Sequence, residues 1–384
     1  MYLNTTAQDS EIVELIKKGV ITLPGVKIRD SQKSWQGLIQ PSSLDLRVGK
    51  KLWAMRGSIR PSKWESVLDL LKRHSSYEFD LTTGRDLQTN CVYIAELLDT
   101  INTDNPNLRF RTSPKSSSGR NDLQVRAIVD SCPHYDSFSG PFHGKLYAEI
   151  LPNSFTGFLK TGTSLNQLRV SLGNSIMSDD EIRSLLNIQD ILFTKTGKQI
   201  LRDQVVLDNG IVLTIDLNGR NTENPKIIGY KARKNVPLWI DLQKKAGAPL
   251  SEFFEPIPTP KSKELLLEPG RFYLLSTNEA ISIPYGFSGE LAQFDPRMGH
   301  ITTHYAGFFD EGFGKFIRGQ QGNTATLEVR AHNHPEIIRD GHAVAVLKME
   351  RMSGRALYPY GSETGSNYSR QIGIKPSKHF NLVY

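Results

Sequence analysis

The feature that most limits what this chain can fold into is that its sequence runs through the same plan twice. Asp9 and Ser10, ahead of the apolar spacing in Glu11-Ile12-Val13-Glu14-Leu15-Ile16, read as the cap of an amphipathic helix that stops at Gly19. Ser178-Asp179-Asp180-Glu181-Ile182-Arg183-Ser184-Leu185-Leu186 repeats that pattern. Leu44-Asp45-Leu46-Arg47-Val48-Gly49 is echoed by Ile215-Asp216-Leu217-Asn218-Gly219, Gly84-Arg85 by Gly270-Arg271, and Pro114-Lys115 by Pro296-Arg297. Glu149 is echoed by Glu328 and Gly162 by Gly341. The separations run only from 170 (Glu11 to Glu181) to 186 (Gly84 to Gly270). Chance would scatter them, so a near-constant offset with small loop insertions means a duplicated domain. Ser171-Leu172-Gly173-Asn174-Ser175 reads as the linker, which gives one unit over residues 1–172 and a second over 173–384.

Between the repeated markers the pattern is that of strands. Tyr147–Leu151, Arg271–Leu275 and Thr324–Val329 are short alternating or apolar runs separated by clusters of Gly, Pro, Asn and Asp. Helical periods are too few to cover a parallel sheet, so the expected class is mainly β, with short helices, once per half. Residues 52–78 fit no recognisable element of this plan, and the proline-rich segment 220–262 reads as an insertion or irregular loop.

Charge and cysteine usage narrow the function classes. Forty-seven basic residues against 40 acidic ones give a formal charge of +7, which favours anionic partners. The positives are scattered and no zinc-finger or RNA-binding signature is present, so small nucleotides rank above nucleic acid. No apolar run approaches the roughly 20 residues of a membrane-spanning helix, and no secretory pattern opens the chain, so the expected location is cytoplasmic. Two isolated cysteines, Cys91 and Cys132, argue against a disulfide scaffold.

One run concentrates anion-binding chemistry: Lys115-Ser116-Ser117-Ser118-Gly119-Arg120 sets three hydroxyls and a glycine between two cations. Hydroxyls, backbone N–H groups and a forked guanidinium converge on a phosphate without a competing negative charge. Taken alone the run reads better as a solvated polar loop, and what changes the reading is the company it keeps. Ile39-Gln40-Pro41-Ser42-Ser43-Leu44-Asp45-Leu46-Arg47-Val48-Gly49 resembles the opening signature of the dCTP deaminase branch of the dUTPase-like superfamily, and the Lys115–Arg120 run resembles its phosphate motif. Ala306-Gly307-Phe308-Phe309-Asp310-Glu311-Gly312-Phe313 is similar to its nucleoside-binding hairpin, with Glu311 where a proline is usual. Thr326-Leu327-Glu328 resembles the strand of its catalytic glutamate, and Tyr360 with Asn367-Tyr368-Ser369-Arg370-Gln371 resembles its C-terminal arm.

The resemblance implies two tandem distorted jelly-rolls and an active site formed between neighbouring β domains. Half one keeps the phosphate motif, whereas the matching Arg297-Met298-Gly299-His300 has lost its hydroxyls; half two keeps the hairpin and the arm, whereas Ile128–Tyr135 is eroded. The surviving pieces are complementary, so one composite site is expected. In it Glu328 would be the general base, with Glu149 as runner-up, and a buried Glu with a raised pKa suits that task. Lys115, Ser116, Ser117, Ser118, Gly119 and Arg120 would hold the triphosphate, and Asp310 the 3′-hydroxyl. His304, Ala306, Thr326, Leu327, Tyr360, Asn367 and Gln371 complete the expected binding set, although Asn367 stands where a lysine is usual.

The implied reaction is hydrolytic deamination of dCTP to dUTP and ammonia. Cleavage of dUTP to dUMP, alone or in combination, is the second reading, and a non-catalytic nucleotide-binding module the third. Zinc deaminases need a Pro-Cys-x-x-Cys pair that two isolated cysteines cannot supply, and His332-Asn333-His334-Pro335-Glu336 reads as an exposed turn. No zinc is expected, while Mg2+ would enter with the triphosphate. The resemblance further implies a homo-oligomer and regulation by dTTP or dUTP.

Overall fold

The computed structural model describes residues 1–28, 37–219, 224, 226–292, 297, 299, 301–303, 307–315, 322–362, 367–368 and 371–381. Both halves are antiparallel β structures built to one plan. In half one the strand Phe142–Pro152 pairs with Val92–Thr103, and Ser164–Leu172 pairs with both Leu44–Met55 and Leu108–Pro114. In half two Asn323–Ala331 pairs with Phe272–Ile281, and Ala343–Arg351 pairs with both Ile211–Thr214 and Phe287–Ala292. The two glutamates of the repeat occupy matching rungs: Glu149 faces Ile94 and Glu328 faces Leu274. Gly84 and Gly270, and likewise Gly162 and Gly341, adopt positive φ, the conformation that makes glycine the residue of choice at these turns.

The helices repeat as well. Asp9–Lys17 and Asp179–Leu186 each open with a capping box. In the first helix the cap is Gln8 rather than Asp9 or Ser10: the Gln8 N–H donates to the Glu11 carboxylate at 3.2 Å. Asp9 is freed for a longer-range task and accepts the backbone N–H groups of Leu357 and Tyr358 at 3.1 and 3.0 Å.

The segment 220–262 is not an irregular loop. It contributes the strands Ile227–Ala232, Trp239–Asp241 and Phe254–Pro258. Pro256 and Pro258 are tolerated because Phe254–Pro258 is an edge strand, where a missing N–H breaks no ladder. Trp239–Asp241 runs parallel to Thr156–Leu159, so half two lends a strand to half one. Residues 52–78 are also ordered: they complete the long Leu44–Met55 strand, form the helix Val67–His74 and return in the strand Ser75–Asp80.

Two ties hold the halves together. The first is a buried ion cluster. Glu350, fully buried, takes Arg111 at 2.5 Å and Arg169 at 2.9 Å, and accepts the Thr6 and Ser175 hydroxyls at 2.7 and 3.1 Å. Burial acts to raise the Glu350 carboxyl, but Arg111 and Arg169 overcome it and hold it down to about 2. The second is the C-terminal segment, which crosses back onto half one. Phe380 packs on Phe253 and Phe254 at centroid distances of 5.3 and 5.4 Å, and both of these pack on Phe155 of half one at 5.2 and 5.1 Å. Each such aromatic contact adds about 0.5–1.5 kcal/mol beyond the area it buries. Phe380–Asn381 also pairs with Ala248–Pro249, while His379 Nδ1 lies 2.8 Å from Asn121 Nδ2 and 3.0 Å from Ser377 Oγ. One hydrophobic core therefore runs through half one, the inserted strands and the chain's last elements, and a second belongs to half two alone.

Each tie makes a measurable prediction. Glu350→Gln leaves two arginines short of their shared anion inside the protein, and breaking a buried pair costs about 3–5 kcal/mol, so the urea midpoint should fall accordingly. An unchanged midpoint would remove the cluster from the list of ties. His379 is lowered from 6.5 to about 4, first by burial and then by the neighbouring Lys378, with the Leu242 carbonyl and Asp241 pulling the other way. A ring whose folded pKa is depressed contributes stability that is complete above about 6.5 and lost as the pH falls through about 4. The melting temperature of the wild type should drop across that window more steeply than that of His379→Gln, and parallel profiles would refute the assignment.

Candidate active site

The strand Leu108–Pro114 delivers the chain to the seam, and there Ser116–Gly119 makes a single helical turn. Lys115 N–H donates to the Leu165 carbonyl at 2.9 Å and Ser118 Oγ to the same oxygen at 3.0 Å, which pins the turn to half one. Ser118 is thereby buried and does not line the adjoining cavity; it anchors the turn rather than presenting a hydroxyl to a ligand. Lys115, Ser116, Ser117 and Arg120 do line the cavity, whose volume is about 500 Å³. The Lys115 ammonium reaches the buried Asp45 carboxylate, which Gln167 also approaches at 3.3 Å.

Half two supplies the opposite wall. Along Asn323–Ala331 the side chains alternate, so Thr326 and Glu328 share the cavity face while Leu327 points into the core of half two. Leu327 is thus a packing residue, contrary to its place in the expected binding set. Glu328 is 1% exposed and abuts the backbone of the phosphate turn from the other half. A Cβ added at Gly119 would fall 2.3 Å from Glu328 Oε2 and 2.5 Å from its Cδ. Glycine at this position is what lets the Ser-rich turn and the carboxylate meet.

The hairpin carries Asp310 into the same cavity. Ser42 donates its hydroxyl to Asp310 Oδ1, and Arg169 stands 3.6 Å from that oxygen. Burial raises the Asp310 pKa, and Arg169 and Ser42 oppose the rise. Arg169 also donates to the carbonyls of Gly289 and Phe309 at 2.9 Å each and lies 4.1 Å over the Phe308 ring, so it grips the hairpin from half one. Glu311, in place of the usual proline, accepts the N–H groups of Gly286 and Ala356 at 3.1 and 2.6 Å and so fastens the stretch leading to Tyr360. Tyr360 lines the cavity with its ring 5.4 Å from Phe313, and burial pushes its hydroxyl pKa up.

The described part of the arm is a built-in seam rather than a detached flap. Gln371 is buried and does not reach the cavity. Its amide donates to Thr326 Oγ1 at 2.6 Å, and its carbonyl accepts from Arg120 at 3.1 Å. Arg120 in turn donates to the Lys375 carbonyl at 2.6 Å and stacks 3.8 Å over Tyr368. Gln371 therefore orients the arginine that faces the cavity, instead of facing it itself. Asn367 and Tyr368 line the cavity, whereas His304 and Ala306 lie outside the described residues.

The runner-up carboxylate is differently placed. Glu149 is fully buried, paired with Arg126 at 2.6 Å and reached by the Tyr135 hydroxyl at 3.3 Å. Tyr135 also donates to the Ile59 carbonyl at 3.2 Å and lies 3.9 Å under the Arg126 guanidinium. Trp53, Met55, Val67 and Leu71 share a hydrophobic cluster with Ile94, Ile128 and Tyr147 of the strands around this rung, and Glu149 is a structural ion pair. In the half-two counterpart of the phosphate turn, Arg297 pairs with Asp208 at 2.7 Å.

Three residues that line or support the cavity escaped the sequence reading. Arg169 leaves one trace, a charge between Leu168 and Val170 in a strand covered on both faces. Lys245 and Lys378 leave none, because each enters the cavity from a segment without a recognisable motif. Among the described residues no three His, Cys, Asp or Glu side chains gather in a metal-binding cluster, and His332 bonds the Thr302 hydroxyl at 2.9 Å. No helix among the described residues is long and apolar enough to cross a membrane.

Known proteins place this geometry. The N-terminal domain of the family described as 2′-deoxycytidine 5′-triphosphate deaminase (DCD) matches residues 6–174, and its C-terminal domain matches residues 178–380. A protein of Corynebacterium jeikeium named "dCTP deaminase, dUMP-forming" is 28% identical over 208 residues, which span 53% of this chain and 97% of that protein. A Streptomyces avermitilis protein of the same name is 36% identical over 118 residues, 30% of this chain and 58% of that one. The crystal structure of 2′-deoxycytidine 5′-triphosphate deaminase from Agrobacterium tumefaciens superposes with a TM-score of 0.81 at 32% identity, covering 92% of this chain and 99% of that one. With both domain descriptions matched in tandem and the mainly β, dUTPase-like fold shared over nearly its full length, the chain belongs to the 2′-deoxycytidine 5′-triphosphate deaminase family.

Proposed function

We propose that this protein converts dCTP and water into dUTP and ammonia at one composite site per chain. The observation that carries the reading is the junction of Gly119 and Glu328, where the phosphate turn of one half meets a buried carboxylate of the other. Glu328 takes a proton from water, the hydroxide adds to cytosine C4, and the proton passes to the ring. Collapse of the tetrahedral adduct expels the amino group as ammonia, with Glu328 shuttling the second proton. Lys115 and Arg120 balance triphosphate charge, and Ser116 and Ser117 offer hydroxyls to it and to the attacking water. Asp310 accepts the 3′-hydroxyl, with Ser42 and Arg169 fixing its carboxylate. Tyr360 and Tyr368 wall the nucleotide.

The names of the two corynebacterial and streptomycete relatives favour a second reading, in which the product leaves as dUMP after loss of diphosphate. Anion-exchange separation of the products decides between dUTP and dUMP. Zinc has no part in the proposed chemistry, since Glu328 activates water directly and neither cysteine lines the cavity. Mg2+ travels with the triphosphate. We propose, as the family resemblance implies, a homo-oligomer subject to dTTP or dUTP feedback, working in the cytoplasm.

Glu328→Gln should lower the deamination rate about 10²–10⁴-fold while dCTP still binds, because the amide keeps the shape without accepting the proton. Gly119→Ala should lower it as well, with Glu328 unchanged in sequence but displaced. Glu149→Gln should leave the rate within about twofold, since that group does not touch the cavity; a dead Glu149→Gln beside an active Glu328→Gln would reverse the assignment. A zinc-selective chelator, with magnesium replenished, should leave the rate unaltered, and activity that tracked bound zinc would overturn the metal-free mechanism.

A further inference from the structure

The cavity carries two cations that the proposed mechanism does not use, and both come from segments unrelated to the phosphate turn. Lys378 belongs to the C-terminal seam and Lys245 to the inserted segment 220–262, yet both line the cavity together with Lys115. Their backbones are joined: Ala246 and Gly247 donate to the carbonyls of Lys378 and His379 at 2.9 Å each. Ala246 takes a φ of 50°, a left-handed turn that brings Lys245 back toward the arm. Lys378 is further fixed by the Tyr368 hydroxyl, which accepts its N–H at 3.1 Å, and its neighbour Ser377 donates to the Ser117 carbonyl at 2.9 Å. The lysine backbone is thus tied directly to the turn that holds Ser116 and Ser117. Asn367, on the same wall, brings no charge.

We propose that Lys378 and Lys245 form a basic clamp for the outermost phosphate of the nucleotide, making this site selective for a triphosphate over shorter phosphate chains. Three ammonium groups at one mouth repel one another unless an anion lies among them, and the Asp45 carboxylate that acts on Lys378 is already engaged by Lys115. Burial and then the nearby Lys115 bring the Lys378 ammonium down to about 8, against the pull of Asp45. Lys115 and Arg120, at either end of the single turn, serve the phosphates nearer the sugar, beside Ser116 and Ser117 on the same wall. A third phosphate extends past them toward the arm, and a compact, mobile ammonium suits it better than a fork. The insertion thereby acquires a role in recognition in addition to its strands.

The proposal rests on a phosphorylated nucleotide occupying this cavity, and the test separates the two ideas. Steady-state kinetics with dCTP, dCDP and dCMP should be compared for the full-length wild type, Lys378→Met, Lys245→Met and the double variant. KM for dCTP should rise about 10-fold for Lys378→Met and about 3-fold for Lys245→Met, with kcat little changed. KM for dCDP and dCMP should hardly move, so that the preference for dCTP collapses in the double variant, and Lys378→Arg should restore most of it. A parallel calorimetric titration with inorganic tripolyphosphate should show the same weakening without any turnover. If no cytidine nucleotide is deaminated but tripolyphosphate binding still weakens in the double variant, the clamp stands and the deaminase reading falls. Unchanged tripolyphosphate binding, or an equal loss of KM for all three nucleotides, overturns the clamp.

Discussion

Burying an arginine inside a β structure is costly unless its donors are answered, and Arg169 is the point where this fold meets most of that demand. Its guanidinium leaves water almost completely, and both terminal nitrogens are answered, by Glu350, two backbone carbonyls and Ser42, while Nε stays without a partner. Those partners lie on both sides of the seam, so the charge can be satisfied only when the halves are docked in one relative position. The Phe309 carbonyl and, through Ser42, the Asp310 carboxylate are fixed by the same requirement. The hairpin is therefore held from the opposite half, and the carboxylate that faces the cavity inherits its orientation from a residue that never enters it.

Duplication gave this chain two copies of each rung, and the copies have been put to different uses. Glu328 kept a cavity in front of it because a glycine turn, not a side chain, came up against its carboxylate. Glu149, on the equivalent rung, acquired Arg126 and Tyr135 and is fully buried, with Tyr135 held in turn by the Ile59 carbonyl. A carboxylate neutralised by a fixed guanidinium is a poor proton acceptor, and one enclosed on all sides has no room for water. The same ancestral position thus serves as an anchor in one half and faces an open cavity in the other.

What could be read from the sequence was whatever repeats or sits contiguously. The offset between halves exposed the tandem β plan, and Lys115–Arg120 announced an anion site because its donors are adjacent along the chain. The period-two alternation of a strand was available to separate Leu327 from Thr326 and Glu328, but motif resemblance grouped all three. Ser118 and Gln371 were assigned to the ligand because their residue types suit phosphate, and their actual partners, the Leu165 carbonyl and Arg120, lie 47 and 251 positions away. The strands in 220–262 were hidden by prolines that an edge strand tolerates. Lys245 and Lys378 became neighbours only through tertiary folding, which no local pattern encodes.

The position of Phe380 in the core has a consequence for the order of events during synthesis. Phe155 emerges from the ribosome roughly 225 residues before the ring that completes its aromatic cluster, at typical elongation rates tens of seconds earlier. Throughout that interval the first half displays an unfinished apolar wall and a phosphate turn whose arginine has neither Gln371 nor Tyr368 to orient it. Nascent chains of this protein are consequently obliged to wait, and the wait falls in the stretch where a non-local β topology is slowest to close and most open to capture by other exposed strands.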